Sequence, residues 1–179
     1  MALTATIYNI DIELADVDRS VYETLTLRLA RHPSESEEYF VTRLLAYCLE
    51  YAEGIAFSNG ISNPDEPTIA VRDLTGALKV WIEIGAPDAA RVHKASKASP
   101  RVAVYTHRDV PQLLKQWAGE RIHRVDELEL YSFDKSFIAA FAAKLERRQT
   151  IALSRTDGHL YLTIGDAVIE GSVERVPIG

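Results

Sequence analysis

Apolar and polar residues alternate most clearly at the two ends of the chain. In residues 4–14, Thr4, Thr6, Tyr8, Ile10 and Ile12 alternate with Ala5, Ile7, Asn9, Asp11 and Glu13, a period of two that predicts a strand. Residues 21–31 resume a strand-like pattern with Tyr22, Leu25, Leu27 and Leu29, so the two segments predict an antiparallel hairpin joined through Ala15-Asp16-Val17-Asp18. The far end reads as strand again over 150–154, 159–164 and 167–173. There Asp157-Gly158 is a strong hairpin signal, because both residues tolerate the left-handed backbone that a tight turn needs.

The middle of the chain has the longer period of helices. Ser34-Glu35-Ser36-Glu37 has the form of a capping box, and Val41, Leu44, Leu45, Cys48, Leu49 and Ala52 mark the core face of a helix running to about Glu53, with Gly54 as its stop. A short extended segment at 55–58 and turns at Asn59-Gly60 and Ser62-Asn63-Pro64 lead to a strand over 68–72. Asp73-Leu74-Thr75-Gly76 turns the chain back into a return strand over 78–85. On that strand Val80, Ile82 and Ile84 face one way, and Lys79, Trp81 and Glu83 the other. Bulky apolar residues on both faces predict a strand covered on both sides. Ala86-Pro87-Asp88 opens a helix through Ser99, and the strand 101–106 follows it as a right-handed crossover would, parallel to 78–85. A helix over 110–119, a strand over 127–132 and a helix over 134–147 complete a mixed α/β (α+β) pattern.

Composition narrows the class without changing that pattern. With 179 residues, 47% hydrophobic and 26% charged, the chain reads as one soluble globular domain, 1–179. A net charge of −6 argues against an indiscriminate nucleic-acid coat, though it permits a local basic patch. The single cysteine, Cys48, excludes an internal disulfide, reads as a buried core thiol and points to a reducing cytoplasm. No signal peptide and no membrane span are expected; the longest apolar run is 137–143.

Candidate chemistry centres on Glu83, a carboxylate on a strand with two covered faces. Such a group is costly to bury unless it is paired, protonated or metal-bound. The hairpin returns it beside Asp65 and Glu66, and the following helix carries a basic stripe, Arg91, Lys94 and Lys97. Carboxylates at strand ends beside a cation could hold a divalent metal and orient a water. Glu38 lies beside the core face of the first helix, one turn before Val41, a position a helix N-terminus also favours. The five histidines have no metal-ligand spacing, and nucleotide-binding loops and serine-hydrolase elbows are absent.

Several stretches together resemble the YaeQ family of small bacterial proteins along nearly the whole chain. They are Met1-Ala2-Leu3 with Ala5-Thr6-Ile7-Tyr8, Leu29-Ala30-Arg31-His32-Pro33-Ser34-Glu35, Glu38, Arg43-Leu44-Leu45-Ala46, Asp65-Glu66-Pro67, Trp81-Ile82-Glu83 with Gly85, and Pro87-Asp88 with Arg91 and Lys94. The resemblance implies a PD-(D/E)xK nuclease-like core over about 34–107, inside a mixed sheet flanked by helices, with added strands at both ends. It makes Glu83 the second acid of the motif and Ile84 the intervening residue. Gly85 stands where the catalytic lysine belongs, a departure that leaves Lys94, or Lys97, as its substitute. The first acid stays open among Asp65, Glu66 and Asp73, and Glu38 corresponds to a helix acid. The implied activity is cleavage of nucleic acid with magnesium or manganese. The alternative is a non-catalytic binding or regulatory module, with nucleic acid or a protein as partner; a structural domain whose acids form ordinary ion pairs is more remote.

Overall fold

The computed structural model describes residues 4–58 and 65–178; the expected turns at Asn59-Gly60 and Ser62-Asn63-Pro64, and Met1-Ala2-Leu3, lie outside them. The architecture is mixed α/β, as the periodicities predict. The chain divides into two compact units, residues 1–41 with 133–174, and 42–132 with 175–179.

In the first unit, β1 (Thr6–Asp16) and β2 (Val21–Arg31) form the expected hairpin, with Ile10 opposite Leu27 and Ile12 opposite Leu25. β1 also pairs in parallel with β8 (Arg148–Thr156), which continues antiparallel to β9 (His159–Ile164) and on to β10 (Ala167–Val176). The strand order is therefore β2-β1-β8-β9-β10. Alternation places Ile10, Ile12, Leu14, Ile151, Leu153, Leu160 and Leu162 inside. Thr156 pairs with His159 across a two-residue turn in which Asp157 and Gly158 have φ of 51° and 75°, the left-handed pair that their sequence predicts. Asp18 holds that turn by accepting from the amides of Asp157 (2.6 Å) and Gly158 (2.9 Å). The Gly158 amide leads in holding its carboxyl below the ordinary value, against burial. Beneath it Asp16, fully buried, takes Nε of Arg155 at 2.9 Å.

The helix α4 (Lys135–Ala143) covers this sheet through Phe137, Ile138 and Phe141. It stops short of the expected Arg147, because the backbone leaves helical geometry after Lys144 and enters β8 at Arg148.

In the second unit the strand order is β7 (Glu129–Phe133), β6 (Arg101–Thr106), β5 (Leu78–Ile84), β4 (Ile69–Arg72) and β3 (Ile55–Phe57). β4 and β5 form the expected antiparallel hairpin. β5, β6 and β7 are parallel, linked by α2 (Ala89–Ala98) and α3 (Val110–Trp117). Trp81, Val102, Val104 and Leu130 pack against Val92 and Ala95 of α2 and against Leu113 and Trp117 of α3. The tail contributes Val176 and Ile178 to the same cluster.

The first helix, α1 (Glu37–Leu49), differs from expectation at both ends. Ser36, not Ser34, caps it, its hydroxyl accepting the Tyr39 amide at 3.0 Å. Glu35 instead folds back to take the His32 amide at 3.0 Å, so the apparent box serves a turn and then a cap. At the other end the Tyr51 amide bonds Cys48 rather than Tyr47, a tightened closing turn that releases the chain before Gly54. Cys48 is fully buried, and desolvation pushes its thiol up to about 12.

Gly171 of β10 has no room for a side chain: a Cβ there would lie 2.4 Å from Cβ of Phe137. Gly171→Ala must displace the aromatic anchor of α4. The expected cost is about 1–3 kcal/mol, read from urea denaturation, whereas an unchanged midpoint would mean that α4 slides freely on the sheet.

Candidate functional site

The site begins with Trp81 and Glu83, two positions apart and therefore on one face of β5. Trp81 is 1% exposed and Glu83 3%. A buried indole needs an acceptor, and a buried carboxylate needs donors. Each supplies the other, for Nε1 of Trp81 donates to Oε1 of Glu83 at 2.6 Å. The same oxygen accepts Nη2 of Arg91 at 2.8 Å and the Thr68 amide at 3.3 Å. The Thr68 hydroxyl donates to Oε2 at 3.2 Å. Three donors thus converge on one oxygen of the carboxylate and a fourth holds the other.

Local structure explains this arrangement. Thr68 precedes β4, whose Ile69 lies opposite Ile82, so the hairpin returns the Thr68 amide and hydroxyl to Glu83. Arg91 sits in the first turn of α2. Asp88 caps that turn by accepting the Arg91 amide at 2.8 Å, and Trp117 anchors the loop before it by donating to the Pro87 carbonyl at 2.9 Å. The Arg91 guanidinium lies 5.6 Å from the centre of the Trp81 ring and also donates to the Glu66 carbonyl at 2.8 Å.

Asp65 and Lys94 form a second, outer pair, joined carboxylate to ammonium, with side chains 75% and 47% exposed. The structure therefore brings Asp65 to Lys94 and Glu83 to Arg91. Glu66 is held by its carbonyl. Lys97 is exposed in the last turn of α2, and Glu38 is exposed in the first turn of α1, within the first unit. Asp73 is a turn residue. Its carboxylate takes the Thr75 hydroxyl at 2.6 Å and the amides of Thr75 and Ala77, and the Thr75 hydroxyl leads in holding it below its ordinary pKa.

Gly85 has φ of +86°, and its amide donates to the Tyr105 carbonyl at 2.9 Å. The chain turns there from β5 toward α2. A lysine at this position would have to adopt a left-handed backbone that side chains disfavour.

These residues do not fit a divalent metal as they stand. Both oxygens of Glu83 are engaged, one by a guanidinium whose charge would oppose a cation, and Lys94 occupies Asp65. Among the described residues, no group of three or more histidine, cysteine or acidic side chains is placed to hold a metal ion.

The sequence reading missed Arg91 as the partner of Glu83. Arg91, Lys94 and Lys97 form one stripe, and spacing alone does not separate them. The distinguishing signal is chemical, since the planar fork of arginine suits a buried carboxylate better than a lysine does.

A second charged cluster was also missed. Arg101 of β6 binds Glu50 through Nη1 (2.8 Å) and Nη2 (2.9 Å), and Glu129 of β7 through Nε (2.7 Å) and Nη2 (2.9 Å). Hydroxyls of Tyr105 and Tyr131 donate to Glu50 and Glu129 at 2.7 and 2.6 Å, and the two rings stack 4.8 Å apart. Alternation puts Tyr105 and Arg101 on the sheet face opposite Glu83, so this cluster fastens the end of α1 rather than joining the site. Burial, then the Glu129 bond, pushes the Tyr131 phenol up to about 12.

A family model described as YaeQ protein matches residues 1–173. The chain is 34% identical over 165 residues to Uncharacterized protein YaeQ of Escherichia coli (strain K12), covering 91% of each. It is 32% identical over 164 residues to the protein of that name from Salmonella typhi, again covering 91% of each. Among solved structures it is similar to the YaeQ protein of Xanthomonas axonopodis pv. citri, with a TM-score of 0.87 and 30% identity over 98% of this chain and 100% of that one. The crystal structure of YaeQ protein from Pseudomonas syringae superposes with a TM-score of 0.86 at 27% identity, over 96% of each chain.

Removing Arg91 leaves Glu83 buried without its cation. Arg91→Leu is expected to cost about 3 kcal/mol in urea denaturation, the low end for a buried pair because Arg91 is partly exposed; Glu83→Gln with Arg91→Leu should recover part of that loss. Glu129 gives an acid-sensitive test. Burial raises its pKa, but bonds from Arg101 and Tyr131 outweigh it and the net shift is downward. The stabilisation from Glu129 is therefore present above the ordinary carboxylate pKa and lost as pH falls through its lower folded value. Glu129→Gln should flatten the drop in Tm between about pH 5 and pH 3, while an equally steep drop would assign it to other groups.

Proposed function

The chain belongs to the YaeQ family, and from that premise we propose that it is a non-catalytic nucleic-acid-binding module built on a nuclease-like arrangement. The observation that carries this reading is that Glu83 is already engaged, with the Arg91 guanidinium and two further donors on Oε1 and the Thr68 hydroxyl on Oε2. The acid that the motif would use for metal is instead the anchor of α2, held by Trp81, Thr68 and Arg91. In this reading the inner pair is structural and the outer pair is functional. Asp65 and Lys94 are exposed, and exposed ion pairs are weak enough to open. A phosphate of a nucleic acid would displace Asp65 from Lys94 and extend to Lys97, one turn away on the exposed side of α2.

A second reading is a magnesium- or manganese-dependent nuclease acting at the same place. The observation favouring it is that β4 and β5 return Asp65, Glu66 and Glu83 to the end from which α2 departs, with Lys94 bonded to Asp65. That reading requires Arg91 to release Glu83 when metal enters. Glu83, with Asp65 or Glu66, would then hold the ion, which supplies charge neutralisation at the phosphate. Lys94 would orient the scissile group.

Anisotropy on labelled single-stranded, duplex and branched DNA and on RNA, with EDTA or with magnesium or manganese, separates the two. Calorimetry and gel cleavage assays accompany it. The module predicts binding that survives EDTA, with no cleavage and no metal-linked heat. Lys94→Gln should weaken binding to all sequences and lower the salt slope by about 0.7–0.9. Cleavage that needs metal and is lost in Glu83→Gln would establish the nuclease instead, and no binding to any of these nucleic acids would sink both.

A further inference from the structure

The sheet of the first unit opens on β2, and among the described residues its strand partner is β1 alone. The register with β1 runs unbroken over the 11 residues from Val21 to Arg31. The strand has no bulge, proline or lysine, the features that ordinarily keep an edge from pairing with another chain. The direction of its backbone groups follows from β1. The Asn9 amide donates to the Arg147 carbonyl at 2.7 Å, so odd-numbered residues of β1 turn their backbone groups toward β8. Even-numbered ones turn toward β2, where they meet Glu23, Leu25 and Leu27. Alternation then sets the N–H and C=O groups of Tyr22, Thr24, Thr26 and Arg28 along the outer edge.

Side chains decide what that edge accepts. Glu23, Leu25, Leu27, Leu29 and Arg31 share the inner face of the sheet, and Tyr22, Thr24, Thr26 and Arg28 the outer one. A second β2, antiparallel about a two-fold axis, keeps inner face beside inner face only in registers centred on a residue. Centring on Glu23 or on Arg28 sets that charge against itself. Centring on Thr24, Leu25 or Thr26 sets Glu23 against a leucine. Centring on Leu27 sets Leu25 opposite Leu29 and Glu23 opposite Arg31, and the symmetry repeats both pairs. In that register Thr26 of each copy faces Arg28 of the other, and each such pair exchanges both of its backbone bonds. Glu23 and Arg31 then fall in the closer, non-bonded positions. Arg31 gives Nε to the Glu35 carbonyl at 3.1 Å, which holds the side chain and leaves Nη1 and Nη2 for a carboxylate. On the outer face the two Arg28 side chains become diagonal neighbours, each with Asp11 behind the Thr26 that it faces.

We propose that β2 is a self-association edge: two copies of the chain join β2 to β2, antiparallel about Leu27, and continue one sheet into the other. A single strand edge is a small interface, so the dimer forms and dissociates with concentration. The pairing lies wholly within the first unit, and its test is independent of Glu83, Lys94 and nucleic acid.

Sedimentation velocity of the full chain over about 1–500 μM provides the test, together with amide hydrogen exchange. The chain should pass from monomer to dimer. The Thr26 and Arg28 amides should gain protection as it does, while those of Leu25 and Leu27 are protected throughout. Glu23→Arg and Arg31→Glu should each weaken self-association at least about tenfold, because each sets like charges opposite in both symmetry-related pairs. Mixed in equal amounts, the two variants should form a heterodimer of unchanged affinity, since every pair is again opposite in charge. Thr26→Pro spares both charges. Its amide faces away from β1, so the proline removes no bond within the chain but blocks the edge and should abolish the dimer. Monomer at every concentration would overturn the proposal and leave the edge to a strand of another protein. A dimer that survives Thr26→Pro would overturn it by assigning the contact to another surface. Two folded charge variants that fail to restore each other would overturn the register on which it rests.

Discussion

The cost of burying one carboxylate organises the second unit. Glu83 lies under α2 at the end of a strand covered on both faces, where an unpaired charge would be prohibitive. Its four donors come from three separate elements: β5 itself, the approach to β4 and the first turn of α2. Satisfying the charge therefore fixes where the hairpin returns and where the helix begins. Fixing α2 in turn sets Val92 and Ala95 against Trp81, Val102 and Val104, the apolar cluster that holds the parallel strands together. An interaction of this kind adds little net stability over an apolar replacement of the same shape, but breaking it by removing one partner is costly.

The same solution recurs away from that site. Asp16 is sealed in the first unit by Arg155, while Arg101 joins Glu50 and Glu129 in the second. In each case an arginine fork spans residues far apart in sequence. A few charged side chains thus serve here as internal ties, which is how the chain keeps acids such as Asp16, Glu50 and Glu83 buried.

Much of the architecture was legible because it follows local rules. The β1–β2 hairpin, the Asp157-Gly158 turn, the β4–β5 hairpin and the parallel β5–β6 pair all follow from periodicity and turn chemistry. The parallel pairing of β1 with β8 was not legible, since nothing local announces a partner some 140 residues away. At the site, Glu83 stood out because a carboxylate amid Trp81, Ile82 and Ile84 breaks the pattern. Its partner was hidden because Arg91, Lys94 and Lys97 all satisfy the same helical spacing, and only side-chain length and orientation select one. Glu50 and Arg101 were hidden for the opposite reason: each sat in an ordinary position, at a helix end and a strand start.

The sealed thiol of Cys48 gives the molecule an internal clock. It is the single cysteine, it lies at 0% exposure in the last turn of α1, and its high pKa keeps it protonated in the native state. A thiol reagent can therefore react only with molecules in which that turn has opened. The rate of modification would report how often the end of α1 detaches, without any engineered label, and would separate local fraying from global unfolding by its dependence on denaturant.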